Sequence, residues 1–264
     1  MMSDVFLMPD LWLGMLRGVR VTIAITILSA VLGLIGGIVL ALIIQFGGTT
    51  ARWFARTYVF FFRGVPLLIL LYFLYFGVPQ ISLLRHGPLW TYLFSSPFAT
   101  CVLAFSLNNA AYLAEVVRGG IRAIKPGEIE AGHALGLSSR KVLQRIVLPL
   151  GLRNCLSGIA NEVIFTIKAS AVASIITVRD LFGEAQRIGT VFSDNLTPLI
   201  AAGIFYVILV QIVEWGTRFL RAYMHGVSKP VSNSVLDRGS RTAPISQEPS
   251  LTESQAIRTS LHVK

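Results

Sequence analysis

Arg63, Asn108, Asn161, Glu162, Lys168 and Ser170 stand inside otherwise apolar stretches. A charge at the centre of a bilayer costs on the order of 2.5–3.5 kcal/mol on insertion scales, so such residues face protein or water and are candidates for a conduction path. The competing reading is helix glue and buried pairing. Glu162 and Lys168 are six residues apart, roughly 240° around a helix, so they do not form an obvious pair. For the adjacent amides Asn108 and Asn109, hydrogen bonding between helices is favoured over substrate contact. Catalytic patterns are missing from the sequence: His86, His133, His225 and His262 are scattered singly, and no His-x-x-x-His or Gly-x-Ser-x-Gly occurs. Without a Gly-x-x-x-x-Gly-Lys-[Ser/Thr] phosphate loop the chain is expected neither to hydrolyse ATP nor to bind a cofactor or metal of its own.

The elements that carry these residues are membrane helices. Of the 264 residues 54% are hydrophobic and only 14% charged, with mean hydropathy +0.68, where soluble domains carry about 25% charged residues. Val21 to Ala51 contains no Asp, Glu, Lys or Arg, more than a hydrocarbon core of roughly 30 Å requires. Gly33, Gly36 and Gly37 give this first span a smooth face for a neighbouring helix. Five spans are expected, over about 21–45, 58–78, 97–118, 149–178 and 196–218. The second carries Arg63-Gly64-Val65-Pro66, which should bend or restart the helix because proline removes a backbone donor. Leu11, Trp12, Leu13 and Leu16 read as an amphipathic lead-in at the interface. Met1 to Leu16 lacks the basic start and cleavage site of a signal peptide, so the first span is expected to be retained. A short helix is expected around Asp180–Ile188. Cys101 and Cys155 lie in apolar stretches and read as packing. The tail from Ser228 lacks the apolar density to build a core and reads as disordered.

Between the third and fourth spans lies a polar stretch, Glu128 to Pro149. Glu128 and Glu130 fall where a helix dipole favours negative charge. Ala131, Ala134 and Leu135 share one stripe, small enough for another surface to approach. Gly136 can take the left-handed conformation that ends a helix, and Ser138 can cap the next. With this stretch on one side of the membrane, that side collects Arg52, Arg56, the basic residues from Arg118 to Arg145 and those from Arg218 to Lys264; the other collects Arg17, Arg20, Arg85, Arg179 and Arg187. The excess of positive charge marks the loop and the tail as cytoplasmic and the N-terminus as periplasmic. It also explains the net charge of +10 without invoking nucleic acid.

Glu130-Ala131-Gly132, Gly136, Ile146-Val147-Leu148 and Pro149 resemble the cytoplasmic loop signature of inner-membrane permease subunits of bacterial ATP-binding-cassette importers: E-A-A, three residues, G, nine residues, I-x-L-P. Gly132 stands where the signature has its second alanine, a small-for-small exchange expected to be neutral. Phe62-Arg63-Gly64-Val65-Pro66-Leu67-Leu68 resembles the second-span motif of the polar amino acid branch. So do Ala110-Ala111-Tyr112-Leu113-Ala114-Glu115 with Arg118-Gly119-Gly120-Ile121, and Asn161-Glu162 with Lys168. The likeness covers roughly residues 15–222, most closely to histidine, basic amino acid and opine permeases.

The resemblance implies an all-α membrane protein, the type I importer transmembrane domain, with about five spans and a coupling helix. It implies a periplasmic segment 1–14, a transmembrane domain 15–222 with its coupling loop at 125–148, and a cytoplasmic tail 223–264. Two permease subunits, identical or related, would face each other above two ATPase subunits that hold ATP and magnesium. A periplasmic solute-binding protein would deliver the ligand. Helix 128–139 would dock on an ATPase, with Glu130 as its polar contact and Gly136 as the break. An ion-coupled transporter or channel would also use intramembrane charges, but such folds have more spans or inverted repeats, and no repeat is found here.

Overall fold

The structure, a computed structural model, describes residues 9–81 and 93–226. The expectations for residues 1–8, for the loop residues 82–92 with Arg85 and His86, and for the tail beyond 226 lie outside the described residues. Met1–Ala222 is one compact unit, divided from Tyr223–Lys264.

Helix α1, Pro9–Phe46, runs unbroken through the first apolar stretch. Two of its buried hydroxyls are satisfied within the helix, Thr26 donating to the Thr22 carbonyl at 2.8 Å and Ser29 to Ile25 at 2.6 Å. The lead-in expected to lie along the interface is instead the first turns of this helix. Trp12, Leu13 and Leu16 face outward, but Leu11 and Met15 are fully buried, packed with Leu181, Ile188, Ala201 and Ala202. The reason is that nothing in Pro9–Arg20 breaks a helix, and two of its apolar positions meet a core rather than lipid.

The second apolar stretch is not one helix through Tyr58–Val78. Helix α2, Thr49–Gly64, and α3, Leu67–Tyr72, meet at 101°. The break falls at the predicted Gly64-Val65-Pro66. Pro66 has no N–H for the Phe62 carbonyl, so α2 closes with Val65 N–H on Phe61 and α3 restarts on the Pro66 carbonyl. The chain after α3 continues through a widened turn, Phe73–Gly77, and a tight turn, Val78–Gln80.

Helix α4, Pro97–Arg122, is the hub. Proline sits in its first turn and Ser96 caps it. Its small residues Ala104, Ala110, Ala111 and Ala114 are buried, and α1 lies directly on them. A Cβ on Gly33 would come within 2.6 Å of Asn109 Cβ, and one on Gly37 within 3.0 Å of the Ala114 nitrogen. The expected smooth face is therefore a backbone-level contact. After α4 come α5, Pro126–Ala134, and α6, Ser139–Val142. A widened turn, Leu143–Val147, leads into α7, Leu148–Asn154. Both widened turns precede a proline by two residues, Pro79 and Pro149, where the ring would clash with the carbonyl four residues back.

The fourth stretch also departs from a single span over 149–178. The helix breaks at Cys155 and restarts as α8, Leu156–Ala169, tightening into Ser170–Ile176. The portion long and apolar enough to cross a membrane is Leu156–Ile176. Then α9, Leu181–Phe192, fills the place of the predicted short helix, its first N–H groups accepted by Asp180. Burial raises the Asp180 carboxyl above its ordinary value, opposed by hydrogen bonds from Gly183, Tyr206 and Phe182. Helix α10, Leu196–Gly226, closes the described residues.

The two neighbouring glycines near the end of α4 differ sharply. A Cβ on Gly120 would collide with the Gly151 carbonyl on α7 and with Cys155 at the break after it, whereas one on Gly119 would meet nothing within 4 Å. Gly120→Ala is expected to cost about 1–3 kcal/mol as overpacking against backbone. Gly119→Ala should be neutral or stabilising by up to about 1 kcal/mol, as alanine favours helix. Thermal unfolding of the two variants in detergent checks this.

Candidate functional site

The polar stretch after α4 folds as predicted in kind but is shorter. Pro126 sits in the first turn of α5, with Glu128 there and Glu130 one turn further on. The helix ends at Ala134, not at Ser139. Gly136 adopts φ +75°, Gly136 N–H bonds the His133 carbonyl at 2.9 Å and Leu137 N–H bonds Gly132 at 3.2 Å. These are the two crossed bonds of a Schellman closure. Ser138 occupies the N-cap of α6, but its hydroxyl makes no cap bond.

The signature residues divide into two groups. Glu130, Ala131 and Ala134 are exposed, and Leu135 is 81% exposed, an apolar side chain on a polar helix with nothing of its own chain on it. Gly132, on the other side of α5, is buried. A Cβ there would stand 2.5 Å from Ile146 Cδ1 and 3.2 Å from Val142 Cγ2. Glycine in place of the signature's alanine leaves the end of the Ile146 side chain room to seat against α5. Ile146 packs with the cluster of Val117, Ile121 and Val147, while Leu148 and Pro149 open α7. Asn154 on α7 donates to the Gly120 carbonyl at 3.2 Å, tying the whole loop to the end of α4.

The six polar candidates within the apolar stretches do not form one site. Asn108 donates to the Phe62 carbonyl at 3.0 Å, and Tyr112 donates to Arg63 at 3.4 Å. These are the carbonyls that the Pro66 break leaves free. The expectation of glue is met, since Asn109 also bonds Thr166 across to α8 at 3.1 Å. Arg63 is exposed, and its guanidinium lies 5.2 Å from the Tyr112 ring centroid. Ser170 is fully buried near Tyr206, in a network where Tyr206 donates to Asp180 at 3.1 Å and Leu181 N–H donates to Thr22 at 3.1 Å. Lys168 faces Tyr206, Val207, Val210 and Gln211. Asn161 is exposed, and no ion pair links Glu162 with Lys168.

Glu162 is the charged one of two candidates that carry a buried acceptor without a partner among the described residues, the other being Asn108 through its Oδ1. Glu162 is half-buried in a cleft of about 130 Å³ between α1, α4 and α8, lined by Ala30, Leu34, Asn109, Leu113 and Thr166. Its Oε1 is shielded from solvent with no hydrogen-bond partner among the described residues. The charge of Arg63 is close enough to act on it. Thr166, one turn along from Glu162, donates to the Glu162 backbone carbonyl at 2.8 Å and is the partner of Asn109. The sequence reading passed over Thr166, Tyr112, Asp180 and Tyr206. The i, i+4 spacing of Glu162 and Thr166 and the cap position of Asp180 were signals that could have found two of them.

Over residues 33–225 the chain matches the family described as the binding-protein-dependent transport system inner membrane component. The arginine transport system permease protein ArtQ of Bacillus subtilis (strain 168) is 37% identical over 200 residues, covering 76% of this chain and 87% of that protein. The octopine transport system permease protein OccM of Rhizobium radiobacter is 34% identical over 206 residues, 76% and 82% of the two chains. Among solved structures, an amino acid ABC transporter with histidines superposes with TM-score 0.70 at 27% identity, covering 80% of this chain and 94% of that one. The MetNI methionine transporter in an inward-facing conformation gives TM-score 0.69 over 84% of this chain and 100% of its own, at 19% identity, a likeness of fold.

A Cβ at Gly136 would touch nothing within 4 Å, so any penalty there is conformational. Gly136→Ala is expected to destabilise the loop by roughly 1–2 kcal/mol, the cost of a left-handed L-residue. Gly136→Asn should recover much of this. Thermal unfolding of both variants against wild type is the check.

Proposed function

The chain belongs to the family of inner-membrane components of binding-protein-dependent transport systems and is a multi-pass permease subunit of an ATP-binding-cassette importer; we propose that its cargo is a polar or basic amino acid or a related opine. The relatives whose names specify arginine and octopine support that class. In this reading two permease subunits, identical or related, sit on two ATPase subunits that bind ATP with magnesium. A solute-binding protein meets the periplasmic side, where the N-terminus lies, and the tail is cytoplasmic. This chain contributes no ATP hydrolysis.

The observation that carries the coupling role is the bare outer face of α5. Glu130, Ala131, Ala134 and Leu135 are exposed side by side, small or apolar except for one carboxylate, and suited to a groove on a soluble partner. Gly132, Ile146, Leu148 and Pro149 then serve as the joint that passes the movement of α5 to α7 and α8. When the ATPases close on ATP, the docked helices turn the spans between inward- and outward-facing states. With α5 intact and its joint unaltered, Glu130→Lys should abolish co-purification of the ATPase subunit while the permease still inserts. Retention of the ATPase by the variant would strip Glu130 of this role.

For the path, Glu162 is the strongest of the six candidates. A half-buried carboxylate with a dry, unpaired oxygen is stabilised by a cationic group of a passing substrate, and Arg63 nearby suits the substrate carboxylate. Asn108, Asn161, Lys168 and Ser170 then border or brace the path. Glu162→Gln is expected to lower uptake of arginine by about tenfold to a hundredfold, the worth of a charged hydrogen bond of roughly 1.5–3 kcal/mol. Glutamine uptake, measured in the same vesicles, should change far less. Equal losses for both substrates would reduce Glu162 to a structural role.

A further inference from the structure

On the side of α5 away from its exposed face lies a second cavity, of about 500 Å³. At 100° per residue, Ile129 and His133 point roughly opposite to Ala131 and Ala134, and both line this cavity. Its walls combine apolar Phe46, Ile124 and Leu143 with the cations Arg122 and Arg140. Phe46 is the last residue of α1 and Arg122 the last of α4. The cavity therefore opens where two helices of the membrane domain end. Neither arginine has a hydrogen bond or ion pair among the described residues, and both are exposed.

We propose that this cavity binds an anionic phospholipid, with its phosphate on Arg122 and Arg140 and its chains over Phe46, Ile124 and Leu143. The proposal rests on the reading that places α5 at the cytoplasmic leaflet. Charge and apolar lining together select the occupant. Guanidinium groups bind phosphate in a fork geometry, and apolar walls beside them suit acyl chains rather than a water-soluble anion. An anionic leaflet also concentrates such lipids around basic residues. A docked ATPase would meet the other face of α5, so the two partners do not compete. A lipid here fills the space between α5 and the ends of α1 and α4 and stiffens the joint through which coupling passes.

The test is native mass spectrometry of the full purified chain, without ATPase, released from mixed micelles holding phosphatidylglycerol and phosphatidylcholine of equal chain length. Wild type should retain phosphatidylglycerol about thirtyfold more than phosphatidylcholine, the effect of two cations near the surface. Arg122→Gln with Arg140→Gln should bring the two lipids level. Arg122→Lys with Arg140→Lys should keep most of the preference, and Arg56→Gln, on exposed α2, should keep all of it. Excess inorganic phosphate should not displace the lipid. Equal retention in wild type, an equal drop in the Arg56 variant, or full displacement by phosphate would each overturn the proposal. So would loss of the co-expressed ATPase in the double Gln variant with lipid preference intact, which would assign the cavity to the ATPase. Because the lipid readout uses the permease alone, a failure of Glu130→Lys to release the ATPase leaves it standing on its own result.

Discussion

Hydrocarbon offers no partner to a free backbone carbonyl, so a helix that breaks within a membrane protein must find its missing donors on a neighbour. Pro66 imposes that condition here. With no N–H at 66, the Phe62 and Arg63 carbonyls take side-chain donors from α4, the Asn108 amide and the Tyr112 hydroxyl. Tyr58 adds a third bond to the Leu107 carbonyl at 2.9 Å. The 101° bend between α2 and α3 is thus held by α4 rather than left as a flexible kink. One consequence is the position of Arg63, whose guanidinium lies over the Tyr112 ring. A proline on the second stretch is thus answered by an amide and a hydroxyl on the third.

The coupling role proposed for α5 requires that its motion not be absorbed along the way. Three features make the joint from α5 to the spans stiff. The crossed bonds at Gly136 and Leu137 close α5 within one residue of its last helical turn. The missing Cβ at Gly132 lets Ile146 and Val142 sit directly on α5. At the far end, α4 and α7 cross with backbone against backbone at Gly120 and Gly151, braced by Asn154. Close-packed interfaces of this kind shift between discrete arrangements rather than deforming gradually. Each contact depends on the absence of a methyl group, which is why small residues rather than strong interactions mark the joint.

The fold was legible wherever one local rule decided the outcome. Length and apolar content revealed Val21–Phe46, the Gly64–Pro66 sequence announced the bend, and Gly136 marked the end of α5. Legibility failed where a residue's role depended on what faced it. Leu11 read as interfacial because a short mixed segment says nothing of the core of α9 and α10 that receives it. The restart at Cys155 has no proline or glycine at the break, so the fourth stretch read as continuous. The contact between Gly132 and the end of the Ile146 side chain was not legible because the two lie fourteen residues apart.

Among the polar residues within the apolar stretches, the cost of burial was the criterion that gathered the candidates, and it does not separate glue from site. A buried polar group that is satisfied costs little, and one that is not costs the full desolvation. Satisfaction is therefore the discriminating quantity. Ser170 has Tyr206, and the Asn108 amide nitrogen has Phe62, so for these groups the protein supplies the partner that lipid cannot, while Asn108 Oδ1 is buried without one among the described residues. Glu162 has backbone neighbours that bond each other through Thr166 and Asn109, yet its own carboxylate oxygen is left without a donor. Natural proteins retain such a group against its cost when something else completes it for part of the working cycle. In a permease that something passes through, which is why an orphaned acceptor on a span points to cargo where a satisfied one points to packing.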